Sequence, residues 1–569
     1  MSSVKTAFDV LRGHAERQPE RVCLRLLFPG KEDVVVTYRG LAESAAGYAE
    51  SLRAAGIQPG EVVILILPHG LDLIAAFWGA VLHGAIPSIM PFLTEKLLPE
   101  RYRRDLSALV SITRPAAVVT YPEFADEVNQ AVGEGGPVRR VLLSTDVASP
   151  TEITGADFGQ FGGYGRGAED IVFLQHSSGT TGLQKGVAIS NLALLNQLKH
   201  YRAAIRLTAD DVIVSWLPLY HDMGLIAGFL MPLLEGVPLV LMSPFDWVKA
   251  PYRLMQAVTK YRGTVSWLPN FAYNFCAQKI RDAQMEGVDL STWRAVINCS
   301  EPMYVHSFEQ FAARFAPYGF RREALATSYA MAENVFGVTQ GGIDDPVKVD
   351  PVDLASLQGE GYARPAVEGQ PSARMLSCGA PIPGTQVRVV DAQGKTLGER
   401  RVGELVVRSD CMLAGYYNRP DATAEAFVDG WYRTGDLGYM ASGEVYVTGR
   451  KKDLIITGGR NVFPQDIEAA AGEVPGVHPG RVVAFGLYND DLGTEEVALV
   501  AEVDLSEEEL ADDEARQTLE DSVRLAVNRG TAVSLRYIRL VGPQWMVKTS
   551  SGKVARAANR EKFLAEMRK

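Results

Sequence analysis

Residues 170–187 read Asp-Ile-Val-Phe-Leu-Gln-His-Ser-Ser-Gly-Thr-Thr-Gly-Leu-Gln-Lys-Gly-Val. The apolar run after Asp170 predicts a buried strand, and a helix is predicted from about Asn191. Between them, Ser177–Val187 contains three glycines, four hydroxyl side chains and one lysine. Glycine lets successive backbone N–H groups face one anion, while hydroxyls and lysine add donors and charge for phosphate. The stretch therefore predicts a phosphate-binding loop between a strand and a helix. A flexible surface loop is the alternative, and the Walker spacing is absent.

The same strand pattern recurs through the first 300 residues. Continuous apolar runs of this length are typical of buried parallel strands, and helical patterns such as Ala7–Gln18 and Asp72–His83 alternate with them. The alternation predicts an α/β fold with mainly parallel sheets, in which ligands lie beyond the carboxyl ends of the strands. The runs are Val62–Leu67, Ala116–Thr120, Arg140–Ser144, Asp211–Pro218, Leu239–Met242, Thr264–Pro269 and Ala295–Cys299.

The pattern changes past Ser377. Alternating strands with polar outer faces predict a small β subdomain. The charged run from Gly449 to Arg460 then marks a boundary, which divides the chain into a large domain, 1–449, and a small α+β domain, 450–569. A polar, weakly periodic stretch at about 346–374 is predicted to be an inserted segment.

Composition limits the function classes. The chain has 569 residues, 47% of them hydrophobic and 22% charged, which is ordinary for a globular protein of two or more units. A net charge of −11 argues against a general nucleic-acid binder. The five scattered cysteines include no C-x-x-C pair, so we expect a reducing cytoplasm, no disulfide framework and no zinc site. We expect no signal peptide and no membrane span, because the longest apolar stretches are interrupted by charges and prolines.

Further polar residues follow predicted strands. His221 follows the apolar run that ends at Pro218. It is either a functional residue or a core histidine whose hydrogen bonds are met within the protein. Tyr329 and Glu333 follow another strand and place an aromatic ring and an acid in one turn. Near the end of the chain, Lys548–Arg556 forms a second Ser/Thr/Gly loop with lysines, or only a surface turn.

In this order these motifs resemble the adenylate-forming superfamily, which includes acyl-CoA ligases, fatty acyl-AMP ligases and peptide-synthetase adenylation domains. The resemblance covers residues 5 to 565, and it is greatest to fatty acyl-AMP ligases. That subgroup carries an inserted segment where this chain has 346–374, and its marks match Trp216–Ile226, Pro269–Tyr273, Leu376–Gly379 and Asn461–Glu468. The motifs shared with the whole superfamily are Ser177–Val187, His221–Gly224, Tyr329–Glu333, Tyr432–Gly438 with Gly449–Asp453, and Lys548–Lys553.

The resemblance implies a site for ATP, and so for AMP, with Mg²⁺. Lys553 would bridge the substrate carboxylate and the α-phosphate, Glu333 would hold Mg²⁺, and His221 would face the incoming thiol. Lys452 would be the hinge on which the mobile C-terminal domain turns between two half-reactions. The nucleotide residues implied are Ser178, Gly179, Thr180, Thr181, Gly182 and Lys185 for the phosphates, Tyr329, Ala330, Ser300, Glu301 and Pro302 for adenine, and Asp436 and Arg450 for the ribose.

The function implied is activation of a fatty or other hydrophobic carboxylic acid as acyl-AMP, followed by transfer to the phosphopantetheine thiol of a carrier protein. The alternative is an acyl-CoA ligase, with CoA as acceptor. Such a ligase is either complete or restricted to forming the thioester from a preformed acyl-AMP, with adenylation weakened or lost, because Gln184, Cys299 and Ala330 depart from the family pattern. A non-catalytic nucleotide-binding protein is the third hypothesis. The residues expected to line the acyl pocket are Trp216, Phe271, Tyr273 and Met331.

Overall fold

The computed structural model describes residues 5–92, 99–133, 135–148, 157–176, 185–458, 460–490, 492–549 and 553–567. The predicted α/β fold with mainly parallel sheets is confirmed. In the described residues, the first large sheet has nine strands, and its central six are parallel. Its strand order is Ala380–Pro381, Gly337–Gly341, Leu325–Ala330, Ala295–Asn298, Val265–Leu268, Ile213–Ser215, Leu239–Met242, Val22–Leu27 and Val34–Thr37.

The second large sheet has seven strands and contains the strand that leads into the glycine-rich loop. Its five strands from Ile171–His176 onward are parallel, and two antiparallel strands extend it on the other side. One apolar core joins both large sheets and the helices between them. The strand order is Gly415–Tyr416, Gly186–Ser190, Ile171–His176, Ile86–Ile89, Val62–Leu65, Ala117–Thr120 and Arg140–Leu143.

The predicted small β subdomain is an antiparallel sheet of five strands. Beside it, the inserted segment is more regular than the expected loop, because two strands of this segment pair with each other. The five strands are Thr385–Val390, Gly403–Ser409, Phe427–Val428, Trp431–Ala441 and Glu444–Arg450, and the pair is Val349–Asp353 with Ser372–Leu376.

The last part of the chain has apolar cores of its own, drawn from residues between Ile455 and Leu564. A three-stranded sheet of Val477–Asn489, Thr494–Val503 and Leu535–Val541 lies between them, preceded by a hairpin of Ile455–Thr457 and Arg460–Val462. The separate cores are consistent with the predicted domain division, whose boundary stays a prediction. Asp512 separates the helices Glu507–Ala511 and Asp513–Thr531, and its side chain caps the second helix.

The helices of the described residues cover the sheets. None of them is long and apolar enough to cross a membrane. A π-helix, Met223–Leu230, follows the His221 turn, and another, Ser356–Glu360, lies in the inserted segment. The α-helices are Ala7–Arg17, Tyr38–Ala54, Leu71–His83, Pro99–Thr113, Ala125–Val132, Asn191–Ala204, Met231–Glu235, Pro244–Lys249, Tyr252–Tyr261, Asn270–Lys279, Val305–Phe315, Pro420–Ala426, Pro464–Gly472, Glu507–Ala511, Asp513–Thr531 and Arg556–Met567.

Candidate active site

A chain of polar contacts links the first large sheet to the β subdomain. The Tyr329 hydroxyl donates to Asp436 Oδ2 at 2.5 Å, and Arg450 Nε lies 3.3 Å from Asp436 Oδ1. Asp436 and Arg450 face each other on adjacent antiparallel strands, so backbone pairing fixes this ion pair. Burial and the Asp436 charge raise the pKa of Tyr329, which therefore stays a neutral donor. The arrangement presents an aromatic ring beside a carboxylate that can accept hydrogen bonds from a diol.

The turn after strand Ala295–Asn298 contacts the end of the chain. Lys553 Nζ donates to the Ser300 carbonyl oxygen at 2.8 Å, which places the C-terminal lysine against the predicted adenine turn. Ser300 has a left-handed backbone (φ 71°), an uncommon conformation for a residue with a side chain. In the same turn, Glu301 Oε2 accepts from the Phe271 N–H at 3.0 Å. The turn thus joins the lysine to the helix Asn270–Lys279, and Pro302 follows it with an exposed side chain.

An ion-pair cluster holds the segment that carries Lys553. Arg556 Nη1 lies 2.6 Å from Asp453 Oδ2, and Arg556 Nη2 lies 2.8 Å from Glu468 Oε1. Asp453 ends the short turn Lys451–Asp453, which includes the predicted hinge residue Lys452. The loop that carries Lys553 is therefore tied to the turn on which the C-terminal domain is predicted to rotate.

Glu333 lies in a short turn beyond Tyr329, in an environment that favours a cation. Its Oε1 accepts from the Tyr416 hydroxyl at 2.9 Å, and that hydroxyl lies 2.9 Å from the Tyr432 hydroxyl. Burial, together with the nearby negative charge of Asp222, raises the pKa of Glu333. A divalent cation would offset both effects, and carboxylate oxygen is a ligand that Mg²⁺ prefers.

Lys185 is the first residue of the glycine-rich loop Ser177–Val187 that the structure describes. Its Nζ lies 4.4 Å from the centre of the Tyr416 ring, the ring whose hydroxyl contacts Glu333. The predicted phosphate lysine and the predicted metal ligand therefore meet at one tyrosine. The other expected loop residues, Ser178, Gly179, Thr180, Thr181, Gly182 and Gln184, lie outside the described residues.

His221 pairs with its neighbour in sequence. Its Nδ1 lies 2.6 Å from Asp222 Oδ1, and both side chains are largely buried. Burial opposes ionisation of Asp222, but its contact with His221 and the charge of Lys553 outweigh burial and lower the pKa of Asp222. A carboxylate at Nδ1 favours the tautomer with its proton there, which leaves Nε2 able to accept a proton. The motif quoted for His221 contains Asp222, yet sequence reasoning gave Asp222 no role.

A serine–histidine pair at the ends of two parallel strands was not predicted. Ser88 Oγ lies 2.5 Å from His176 Nε2, and His176 Nδ1 is buried with no hydrogen-bond partner in the described part of the chain. Burial lowers the pKa of His176 to about 4. Gln175, His176, Tyr220 and His221 line one small pocket. A lone serine and a lone histidine in separate strands carry no motif, so the sequence held no signal for their contact.

Two of the expected acyl-pocket residues belong to one aromatic cluster. Trp216 stacks on Trp247 with ring centres 3.5 Å apart, and Phe271 lies edge-on to both rings. Phe271 is 39% exposed, whereas the two indoles are buried. Trp247 was not predicted, because it comes from the separate helix Pro244–Lys249.

Tyr273 and Met331 make contacts outside that stack. The Tyr273 hydroxyl donates to the Val296 carbonyl at 2.9 Å, and its ring packs on Phe308 and Phe311 in the core. Met331 packs against the same apolar cluster as Tyr329. Tyr273 therefore has a structural contact where a pocket contact was expected, because it is on the core-facing side of its helix.

Two of the unusual positions are accommodated by the fold. The Cys299 side chain is fully buried, and burial raises the pKa of its thiol to about 12. Ala330 lies at an irregularity in the strand pairing, opposite Gly337. The fold thus accommodates both side chains, Cys299 by burial after its strand and Ala330 at the irregularity in the strand pairing.

A family model for AMP-binding enzymes matches residues 11–417. Among curated relatives, a medium-chain-fatty-acid–[acyl-carrier-protein] ligase, JamA, of Moorena producens is 31% identical over 98% of this chain and 95% of its own. A 4-hydroxyphenylalkanoate adenylyltransferase of Mycobacterium tuberculosis is 30% identical over 98% of this chain and 91% of its own.

Solved structures agree with these relatives. A fatty acyl-adenylate ligase from a study of the Escherichia coli and Legionella pneumophila enzymes superposes with a TM-score of 0.88 at 27% identity, over 99% of both chains. The Legionella enzyme in complex with acyl adenylate and pyrophosphate gives a TM-score of 0.74 at 29% identity, over 99% of this chain and 96% of that chain. The chain therefore belongs to the AMP-binding enzyme family and is an adenylate-forming ligase.

Proposed function

We propose that the protein activates a hydrophobic carboxylic acid as its acyl-AMP and then passes the acyl group to the phosphopantetheine thiol of a carrier protein. The observation that carries the proposal is the contact of Lys553 with the Ser300 carbonyl. In this contact a lysine of the C-terminal region binds the turn after strand Ala295–Asn298, which pairs with the strand that carries Tyr329. This is the arrangement that the first half-reaction requires.

In that half-reaction a carboxylate oxygen attacks the α-phosphorus of ATP. The bond from that phosphorus to the bridging oxygen breaks, and pyrophosphate leaves. Two anions approach each other, so a fixed positive charge where they meet lowers the barrier, and Lys553 supplies it. Asp436 and Tyr329 orient the nucleoside, and Lys185 neutralises the departing phosphates. Mg²⁺, held by Glu333, would offset the negative charge of the phosphate oxygens.

In the second half-reaction a thiol sulfur attacks the acyl carbon, and AMP leaves. The thiol must lose its proton as the carbon–sulfur bond forms. His221 is suited to receive it, because Asp222 at Nδ1 leaves Nε2 free of a proton. Lys553 must withdraw to admit the thiol, which is why Lys452 is proposed as a hinge.

The inserted segment supports a carrier protein as acceptor. Gln358 Nε2 donates to the Thr531 carbonyl at 3.0 Å, and both residues are buried. This bond attaches the C-terminal region to the inserted segment and so adds a cost to its rotation, which a carrier protein can offset with contacts of its own and free CoA cannot. JamA, whose name gives an acyl carrier protein as its acceptor, is similar over nearly the whole chain.

A competition assay tests the proposal. The protein is incubated with ATP, Mg²⁺, a panel of hydrophobic acids, and equal concentrations of CoA and a holo carrier protein. The products are identified by mass spectrometry. We expect acyl-AMP without acceptor and acylated carrier protein with both present. Accumulation of acyl-CoA alone would contradict the choice of acceptor, and the absence of any acylated product would contradict the function.

A further inference from the structure

The stack of Trp216 and Trp247 has an unusual geometry. Its ring planes are 5° apart with centres 3.5 Å apart, so the rings overlap face to face. Aromatic pairs prefer offset or edge-to-face arrangements, because the negative faces of two rings repel each other. Phe271 and Phe275 pack around the stack. The surrounding side chains therefore hold the indoles in a position that the two rings alone do not favour.

Both indole N–H groups are buried and find no acceptor among the residues that the structure describes. The exposed fractions of the two residues are 3% and 0%, so water does not reach the rings freely. A buried donor without a partner destabilises the folded protein, because the donor has lost its hydrogen bond to water and gained none in return. Two such donors in one stack indicate that an acceptor is supplied from outside the described residues.

Other buried tryptophans show that this fold can satisfy an indole. Trp267 donates to the Tyr201 hydroxyl at 3.0 Å, and Trp293 donates to Ser266 Oγ at 3.0 Å. Trp78 also has a buried N–H without an acceptor, but it is packed between Phe77 and Phe229 in the main core. The Trp216–Trp247 stack differs in having two such donors together near the reacting centre.

The stack lies next to the place where an acyl-adenylate would form. Phe271 touches both indoles, and its N–H is bound by Glu301 in the turn that Lys553 contacts. Phe271 is also the partly exposed member of the cluster. An acyl chain that extends from the carboxylate near Lys553 and displaces the Phe271 ring would therefore reach the indoles.

We propose that the acyl group carries a hydrogen-bond acceptor oxygen along its chain, as a hydroxyl, keto or ether group, which receives the indole N–H of Trp216 or Trp247. This inference rests on the proposed function, because the ligand is the acid that is adenylated. A site with buried donors rejects an analogue that lacks the acceptor, since the donors then stay unpaired. The acid is thus an oxygenated hydrophobic acid, and a plain alkanoic acid is the poorer substrate.

Acid-dependent pyrophosphate exchange with matched pairs tests the inference. The pairs share one carbon skeleton, and one member of each carries a hydroxyl or keto group at a defined carbon, moved stepwise along the chain. We expect at least one position to raise kcat/KM about tenfold over the unsubstituted acid, as one added hydrogen bond of about 1.4 kcal/mol would. Equal kcat/KM for both members of every pair would overturn this inference but leave the proposed function intact. No exchange with any acid would contradict the proposed function itself.

Three Trp→Phe variants identify the donors. Trp216→Phe and Trp247→Phe keep an aromatic ring and remove one N–H each, and we expect one of them to lose the preference for the oxygenated member. Trp293→Phe is the matched control, because its N–H has an acceptor in the core. We expect it to retain the preference. A preference that survives in both Trp216→Phe and Trp247→Phe would overturn the assignment, with circular dichroism confirming that each variant is folded.

Discussion

Two contacts between the C-terminal region and the rest of the chain differ in kind. Lys553 reaches the Ser300 carbonyl with a charged side chain, inside the proposed site. Gln358 reaches the Thr531 carbonyl with a neutral amide, in a buried place outside that site. The first contact supplies charge to a reaction, and the second only attaches one part of the molecule to another. Breaking each in turn therefore separates chemistry from domain orientation.

The largest effect is expected from Lys553→Ala. Removing one preorganised donor to developing charge costs about 10²–10³ in rate, so single-turnover formation of acyl-AMP should fall by at least that factor. ATP binding, measured by calorimetry, should persist, because Asp436, Tyr329 and Lys185 remain. The control is Lys348→Ala, which removes an exposed lysine paired with Glu444. An unchanged rate of acyl-AMP formation in Lys553→Ala would show that this contact has no catalytic role.

A smaller effect is expected when the nucleotide end of the same site is changed. Asp436→Asn removes the charge that pairs with Arg450 and weakens the acceptor of the Tyr329 hydroxyl. Hydrogen bonds to a charged group contribute about 1.5–3 kcal/mol, so the KM for ATP should rise roughly tenfold to hundredfold. The rate at saturating ATP should change less. A KM for ATP equal to that of the wild type would show that Asp436 does not bind the nucleotide.

A third contact between the C-terminal region and the rest of the chain is neutral, like that of Gln358, but lies beside an ionisable residue. The pH dependence of stability reports on it. The Tyr304 hydroxyl donates to the Gln465 carbonyl at 3.0 Å, next to Asp466. Burial and the nearby charge of Glu468 raise the pKa of Asp466 to about 7. The unfolded carboxyl has a pKa of about 3.9. The free energy of unfolding should therefore fall as the pH rises from about 4 towards 7, because only the unfolded state has then released its proton.

Asp466→Asn removes that dependence. Above pH 7 we expect the variant to be more stable than the wild type by about 4 kcal/mol, because the two pKa values differ by about 3 units, and near pH 4 we expect the two to be alike. Urea unfolding at both pH values measures the difference. Asp490→Asn, on the exposed surface, is the control. A stability difference that does not grow with pH would contradict the assigned pKa.

The smallest effect is expected from Gln358→Ala. The change leaves the buried Thr531 carbonyl without its donor, at a cost of about 1–2 kcal/mol, which is roughly a tenfold shift towards the detached C-terminal region. Acyl-AMP formation should stay at the wild-type rate, while transfer to CoA and hydrogen exchange around Thr531 should increase. Arg364→Ala, in an exposed ion pair of the same segment, is the control. Unaltered exchange at Thr531 would show that this bond does not hold the two regions together.

The same comparison shows how much the sequence could predict. Lys553, Glu333 and Asp436 lie in short motifs that resemble those of the adenylate-forming superfamily, and in the structure each makes a polar contact with a distant part of the chain. Gln358 binds a backbone carbonyl far along the chain, and any residue offers a carbonyl, so no pattern identified that partner. Trp247 was missed for a related reason, since packing between distant elements fixes its contact with Trp216. The fold was predictable because continuous apolar runs specify buried strands wherever they occur.

We propose that this chain makes acyl-AMP with its own ATP site, even though Gln184, Cys299 and Ala330 depart from the family pattern. Cys299 is buried and Ala330 lies at a strand irregularity, so neither side chain requires the site to be lost. The most direct test is acid-dependent exchange of labelled pyrophosphate into ATP by the wild-type protein, without any thiol. We predict exchange that requires both acid and Mg²⁺. The absence of exchange with every acid of a broad panel would contradict the claim.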